Sequence, residues 1–123
     1  MKQILFVLVL LSAMMFLAQP GLAQDAVKAD PKHYKVEFEN EQVRVLRITY
    51  GPHEKSVMHS HPEGMVIFLT DANGKFTLPD GTTQVNNWKA GDFSWVPASS
   101  HNPENLGDKG FSLLQIEMKP RKK

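Results

Sequence analysis

The chain has 123 residues, with 14 Lys and Arg against 13 Asp and Glu, five His and no cysteine. A near-neutral balance gives no electrostatic basis for holding nucleic acid. The absence of cysteine excludes disulfide staples and the acylated cysteine of a lipoprotein, so stability has to come from a packed core and any bound ion.

Residues 1–23 have the pattern of a signal peptide: Lys2 as the positive start, an almost unbroken apolar run from Ile4 to Leu17, then Pro20-Gly21 and the small residue Ala23. Cleavage is expected after Ala23, with the product exported to the periplasm or secreted and no stable membrane insertion afterwards. An uncleaved transmembrane anchor is the competing reading, but the apolar run is short and ends in Pro-Gly followed by polar sequence. No twin arginine precedes it. Removing 23 of the 123 residues leaves 100, with 13 Lys and Arg against 13 Asp and Glu, the size of one small domain.

Residues 24–33 are polar, contain Pro31 and show no period, which predicts a flexible lead-in. Residues 34–118 alternate short segments rich in β-branched and aromatic residues with turn signals, the pattern of an all-β sandwich or barrel. The expected strands run from Tyr34 to Phe38, Val43 to Tyr50, Ser56 to His61, Met65 to Thr70, Lys75 to Leu78, Gln84 to Lys89, Phe93 to Val96 and Phe111 to Met118. Asn73-Gly74 and Asp80-Gly81 are the strongest hairpin signals, since both dipeptides tolerate positive φ. Alternation directs Phe68, Phe76, Leu78, Phe93, Trp95, Leu114, Ile116 and Met118 toward the core. The basic tail, residues 119–123, reads as a solvated terminus.

The histidines carry the chemical signal. On a strand, His59 and His61 project from the same face and can occupy neighbouring positions on one ion. Imidazole suits iron, manganese, zinc, nickel and copper, so the pair alone chooses no metal. Forty residues on, Gly91-Asp92-Phe93-Ser94-Trp95-Val96-Pro97 reads as a turn, a short strand and a terminating proline, and His101 follows on the loop after it. His53 reads as an exposed loop residue and His33 as lying ahead of the domain.

In these two segments the chain resembles the cupin superfamily, and over residues 34–118 it is similar to a small single-domain cupin. The family's first motif is a glycine, then HxH, then a glutamate and a glycine. Its second is a glycine, five residues, a proline, then a histidine and, four residues on, an asparagine. This chain carries Gly51, His59, His61 and Gly74 for the first, and Gly91, Pro97, His101 and Asn105 for the second. The resemblance implies an all-β, cupin-type double-stranded β-helix or jelly-roll barrel. It also implies one divalent transition metal (Fe, Mn, Zn, Ni or Cu) on His59, His61 and His101. The main departure is at Met65, which stands where the family has its acidic ligand; the second motif is also one residue shorter before its histidine, with Ser99 where the family usually has glycine. Three neutral imidazoles would leave the ion's charge uncompensated and two or three positions open. Glu63 and Glu104 are the candidates to replace the missing carboxylate, though each also reads as a solvated surface group, and Met65 reads as core filling or a soft pocket wall.

Two functional classes fit these residues. One is an exported binding module that holds a metal and a small-molecule ligand, sugar-like or anionic, in the barrel without turnover. The alternative is a three-histidine metal-dependent dioxygenase or isomerase acting on a small oxygenated or thiol substrate. The missing acidic ligand and the lack of an evident acid–base pair favour binding, and no catalytic residue can be named. A metal-free barrel with histidines as polar lining is a third, plainer reading. The family's habit of pairing through edge strands implies a homodimer formed through Tyr34 to Tyr50.

Overall fold

The computed structural model describes residues 23–123, which form one short helix and nine strands. The rest of the expected signal segment, residues 1–22, lies outside the described residues. No helix among the described residues is long and apolar enough to cross a membrane. The elements are α1 (Ala26–Ala29), β1 (Tyr34–Glu39), β2 (Val43–Tyr50), β3 (His59–His61), β4 (Gly64–Phe68), β5 (Ala72–Thr77), β6 (Thr83–Trp88), β7 (Phe93–Val96), β8 (Ser99–Asn105) and β9 (Phe111–Met118).

The strands form two antiparallel sheets, one in the order β1-β2-β9-β4-β7 and the other β3-β8-β5-β6. The two sheets enclose the core as a double-stranded β-helix, not as one continuously closed barrel, because their outer strands β1, β7, β3 and β6 do not pair with one another. Alternation on β2 buries Leu46, Ile48 and Tyr50, which meet Tyr34, Phe68, Phe111 and Leu113 in one core. Each fully buried apolar side chain of this kind contributes roughly 1.5–3 kcal/mol. Of the two strands expected to offer an edge, only β1 does, since β2 is paired on both sides.

Strands β2, β7 and β9 span the expected residues, but β9 and β7 face the other way. On β9 the buried positions are Phe111, Leu113, Gln115 and Glu117, and Leu114, Ile116 and Met118 lie half-buried on the outer surface. Phe93 and Trp95, expected in the core, are 71% and 53% exposed. The register explains why alternation misled. Phe38, Val45, Ile116, Met65 and Trp95 are successive cross-strand partners across all five strands, so the outer face carries an apolar row of its own. A strand with apolar residues on both faces does not reveal which face is inward, and a one-residue shift exchanges them all.

Two turn signals divide. Asp80-Gly81 makes the β5–β6 hairpin, with Gly81 at φ 86° and its N–H donating to the Leu78 carbonyl at 2.9 Å. Asn73-Gly74 instead lies inside β5, paired with Asn87 and Asn86. A Cβ on Gly74 would stand 3.1 Å from Trp88 Cζ3, so the glycine there serves close packing and not a turn.

Strand β8 has no counterpart in the sequence reading, because Ser99–Asn105 is polar and contains Pro103. The Pro103 carbonyl accepts from the Ser56 N–H at 2.9 Å, on the edge away from β5. In an antiparallel strand a residue's nitrogen and carbonyl point to the same side. The missing N–H therefore costs the β5–β8 ladder nothing.

Residues 24–33, expected as a flexible lead-in, pack onto the domain. The Ser60 N–H donates to the Gln24 carbonyl at 2.9 Å, Ala26 is fully buried, and the Arg44 guanidinium donates to Asp25 at 2.5 Å. His33, expected ahead of the domain, is buried, stacked on Tyr50 at 4.3 Å and 7°. Polar composition suggests disorder here, but Asp25, Asp30 and His33 hydrogen-bond within the domain, to Arg44, to Ser56 and His33, and to Asp30 and Glu54 respectively.

Candidate metal centre

His59 and His61 lie at i and i+2 on β3 and share one face, and His101 on β8 is the direct cross-strand partner of His59. One strand pair therefore delivers all three rings. Their centroids are 4.8 Å (His59–His61), 4.9 Å (His59–His101) and 5.3 Å (His61–His101) apart, each pair nearly perpendicular. One ligand atom from each lies within 4.8 Å of the others, a group that could hold a metal ion. His101 thus arrives on a strand and not on the expected loop.

Hydrogen bonds set the tautomers. His59 Nδ1 donates to the Val57 carbonyl at 2.8 Å, which can only accept. His61 Nδ1 donates to Glu117 Oε2 at 2.7 Å. In a neutral ring, a protonated Nδ1 leaves Nε2 as a bare lone pair. The Nε2 atoms of His59, His61 and His101 are all buried without a hydrogen-bond partner. Buried polar atoms are normally satisfied, and converging unsatisfied acceptors are the donor set a divalent cation requires. The residues present therefore fit a metal.

Behind His61 stands a chain of charge that runs from buried Glu117 to partly exposed Asp25. Glu117 is 1% exposed, and its Oε1 accepts from Arg44 Nε at 2.7 Å while Arg44 also grips Asp25. Burial works against the Arg44 charge, but its bonds to Asp25 and Glu117 outweigh that and hold its pKa above the ordinary value. Behind His59 a second chain runs from Ser56, whose hydroxyl donates to Asp30 at 2.6 Å and sits 3.4 Å from His59 Nδ1. His33 stands between Asp30 and Glu54, with Nδ1 at 2.6 Å from the first and Nε2 at 3.1 Å from the second. Outer carboxylates of this kind orient ligating imidazoles and raise their basicity. Both chains start in residues 25–33, so the N-terminal segment braces two of the three rings.

The sequence reading missed Glu117. Its signal is an acid at an alternate position of an otherwise apolar strand, hidden because the neighbouring Leu114, Ile116 and Met118 read as the inward face. The two acids it did consider are elsewhere. Glu63 is exposed, and Glu104 pairs with Lys75 Nζ at 3.0 Å, so neither joins the cluster. Met65 sits in the outer apolar row and cannot wall the pocket. His53 is an exposed loop residue at φ 57° beside Asp108, as expected. Asn105 is buried and pins two loops, donating to the Gly51 carbonyl at 2.9 Å and the Lys109 carbonyl at 2.8 Å.

Burial, reinforced by the nearby His61, lowers the His59 pKa to about 4, and burial with His61 and His59 lowers that of His101 to about 3. Both rings are neutral at pH 7. Their unfolded-state value is 6.5, so on acidification the unfolded chain takes up protons that the folded chain refuses. Stability is therefore complete above pH 6.5 and declines as pH falls toward 4 and 3, by on the order of 3 kcal/mol per histidine. The urea midpoint of chelator-treated protein is expected to drop between pH 7 and 4.5, with a smaller drop for His101→Gln. An equal drop in both would contradict this assignment.

The cluster adjoins a cavity of about 170 Å³ between the sheets, lined by His101, Tyr34, Tyr50, Val66, Phe68, Phe76, Trp88, Phe111 and Leu113 among others. Phe76 links the two, its ring 4.6 Å from His101 and 5.6 Å from Trp88.

No protein-family model matches the chain, and no curated protein does. Solved structures do. A cupin domain from Bordetella pertussis Tohama I superposes with a TM-score of 0.66 at 25% identity, over 71% of this chain and 92% of that one. A protein with a double-stranded β-helix domain from Klebsiella pneumoniae gives 0.56 at 20% identity, over 69% and 74%. Bacillus subtilis oxalate decarboxylase, in a structure concerned with its Mn(II) centres, gives 0.51 at 25% identity, over 68% of this chain but 23% of that one. Two facing antiparallel sheets, a histidine trio on adjoining strands and these superpositions together make the fold of this chain that of the cupins, the double-stranded β-helix.

Proposed function

We propose that the protein is an exported binding domain that holds one divalent transition metal on His59, His61 and His101 and a small molecule in the adjoining cavity. The observation that carries this reading is that three rings, each with a buried, unpartnered Nε2, bring one ligand atom apiece within 4.8 Å of one another. Two of them are locked in the ligand-ready tautomer by Val57 and Glu117. The likeness to a manganese-containing oxalate decarboxylase supports a divalent ion without selecting which. The ion, once bound, would act as a Lewis acid at open positions; the chain's own residues orient the rings.

Turnover as a dioxygenase or isomerase is the second reading, favoured by the cavity that reaches His101. Against it, Glu117, which holds His61, is engaged with Arg44, and Glu104, in the cavity wall, is paired with Lys75. Protein isolated from the export compartment is expected to carry about one equivalent of metal and to gain thermal stability with ligand, without product. Multiple turnovers with oxygen uptake would replace binding by catalysis. Absence of metal in protein never exposed to chelator would remove both readings.

A further inference from the structure

We propose that the ligand is a small molecule with a ring-sized apolar body and a single anionic oxygen end, such as an aromatic carboxylate or phenolate, and neither a dianion nor a sugar. This rests on the metal reading above and names the ligand class of the same site.

The volume sets the size. A cavity of about 170 Å³ is comparable to the roughly 150 Å³ apolar cavity that accepts benzene in another protein. The walls set the body. Val66, Phe68, Phe76, Trp88, Phe111 and Leu113 line it, with Phe68 and Trp88 stacked at 4.6 Å and 11°. The aromatic surface runs without interruption to His101 through Phe76.

The polar inventory excludes the other classes. Among the described residues, the lining contains neither lysine nor arginine. The hydroxyls of Tyr34 and Tyr50 share one hydrogen bond at 2.7 Å, which leaves a single O–H to donate elsewhere, and burial holds both phenols protonated far above neutral pH. Glu104 is ion-paired with Lys75 at 3.0 Å but its buried Oε2 makes no hydrogen bond, so the lining offers one acidic acceptor beside the neutral Gln115 and Ser94. A second carboxylate placed in this cavity would lose its water and meet no cation, and a polyol would leave several hydroxyls unsatisfied.

The charge sets the end group. Three neutral imidazoles do not offset a divalent ion, and Glu117, which backs His61, is already paired with Arg44. One anionic oxygen group at the His101 end offsets one of the ion's two charges while the ring fills the space beyond.

The two tryptophans make this measurable. Trp95 lies on the outer face and Trp88 in the cavity wall, so Trp95→Phe leaves Trp88 as the reporter. In the zinc-loaded Trp95→Phe protein, benzoate is expected to change Trp88 emission saturably, with a Kd at least ten-fold below those of oxalate and glucose. Val96→Phe, which fills the cavity wall, is expected to raise the benzoate Kd ten-fold or more at unchanged zinc content. Oxalate or glucose binding as tightly as benzoate, or a Val96→Phe protein with undiminished benzoate affinity, would overturn the proposal. Phenol titrated into metal-free protein separates the two readings. A Trp88 response without any retention of zinc would remove the metal and leave the ring-sized ligand standing; no response there, together with none from benzoate in the zinc-loaded protein, would remove the ligand class itself.

Discussion

Replacing His101 with alanine is expected to weaken metal binding by at least 100-fold while leaving a folded protein. Each ring is one of three protein donors, and a structural zinc site in a peptide is worth about 10–16 kcal/mol over its whole ligand set, so losing one donor costs several kcal/mol. Folding should survive because the three Nε2 atoms gain nothing from the fold without an ion: they are buried acceptors with no partner. Deleting one relieves a desolvation cost that partly offsets the lost packing against Phe76. Calorimetric titration with zinc checks the affinity, and circular dichroism of the metal-free variant checks the fold. His59→Ala and His61→Ala should behave alike in titration. A His101→Ala protein that still bound one equivalent of zinc at wild-type affinity would dismantle the centre.

Glu117→Gln is expected to be the most damaging conservative change in the molecule. The carboxylate accepts from two donors on opposite sides, Arg44 Nε at 2.7 Å and His61 Nδ1 at 2.7 Å. An amide accepts with one end only, so one donor must face an NH₂ group. Breaking a buried ion pair by removing one partner costs about 3–5 kcal/mol. At about 4–8 °C per kcal/mol for a domain of this size, Tm should fall by more than 10 °C. Metal affinity should fall about 10–100-fold as well, since His61 loses the partner that fixes its tautomer. Asp25→Asn is the contrast: it touches the same guanidinium but is partly exposed, so its loss should cost under about 1 kcal/mol. Differential scanning calorimetry of both variants, with and without zinc, tests the ranking. Equal effects would show that the chain from Asp25 to His61 does not act through Glu117.

Much of the site was legible from residues alone. HxH on a strand places two rings on one face because side chains alternate with a period of two, and that geometry holds at His59 and His61. His101 could be assigned only through the resemblance to cupins. The strand that carries it, SSHNPEN, has the composition of a loop, and its pairing with β3 and β5 is visible only once those neighbours are placed. The sequence points to Glu63 or Glu104 as a replacement for the family's acidic ligand, and neither joins the cluster. The carboxylate that touches it, Glu117, instead holds His61 from behind, 56 residues further on, because an antiparallel sheet joins residues that are remote along the chain.

By itself, the order of turn signals and β-branched segments determined an all-β fold, the limits of β2, β7 and β9, and a histidine pair able to share an ion. Those properties are local: turn dihedrals, strand propensity and side-chain alternation act over a few residues. Tertiary structure alone decided which face of β9 and β7 is buried, that residues 24–33 belong to the domain, and that a carboxylate supports the centre from behind. Each depends on what lies opposite. Phe93 and Leu113 are equally apolar, and only the second sheet, present on one side and absent on the other, separates the exposed one from the buried one.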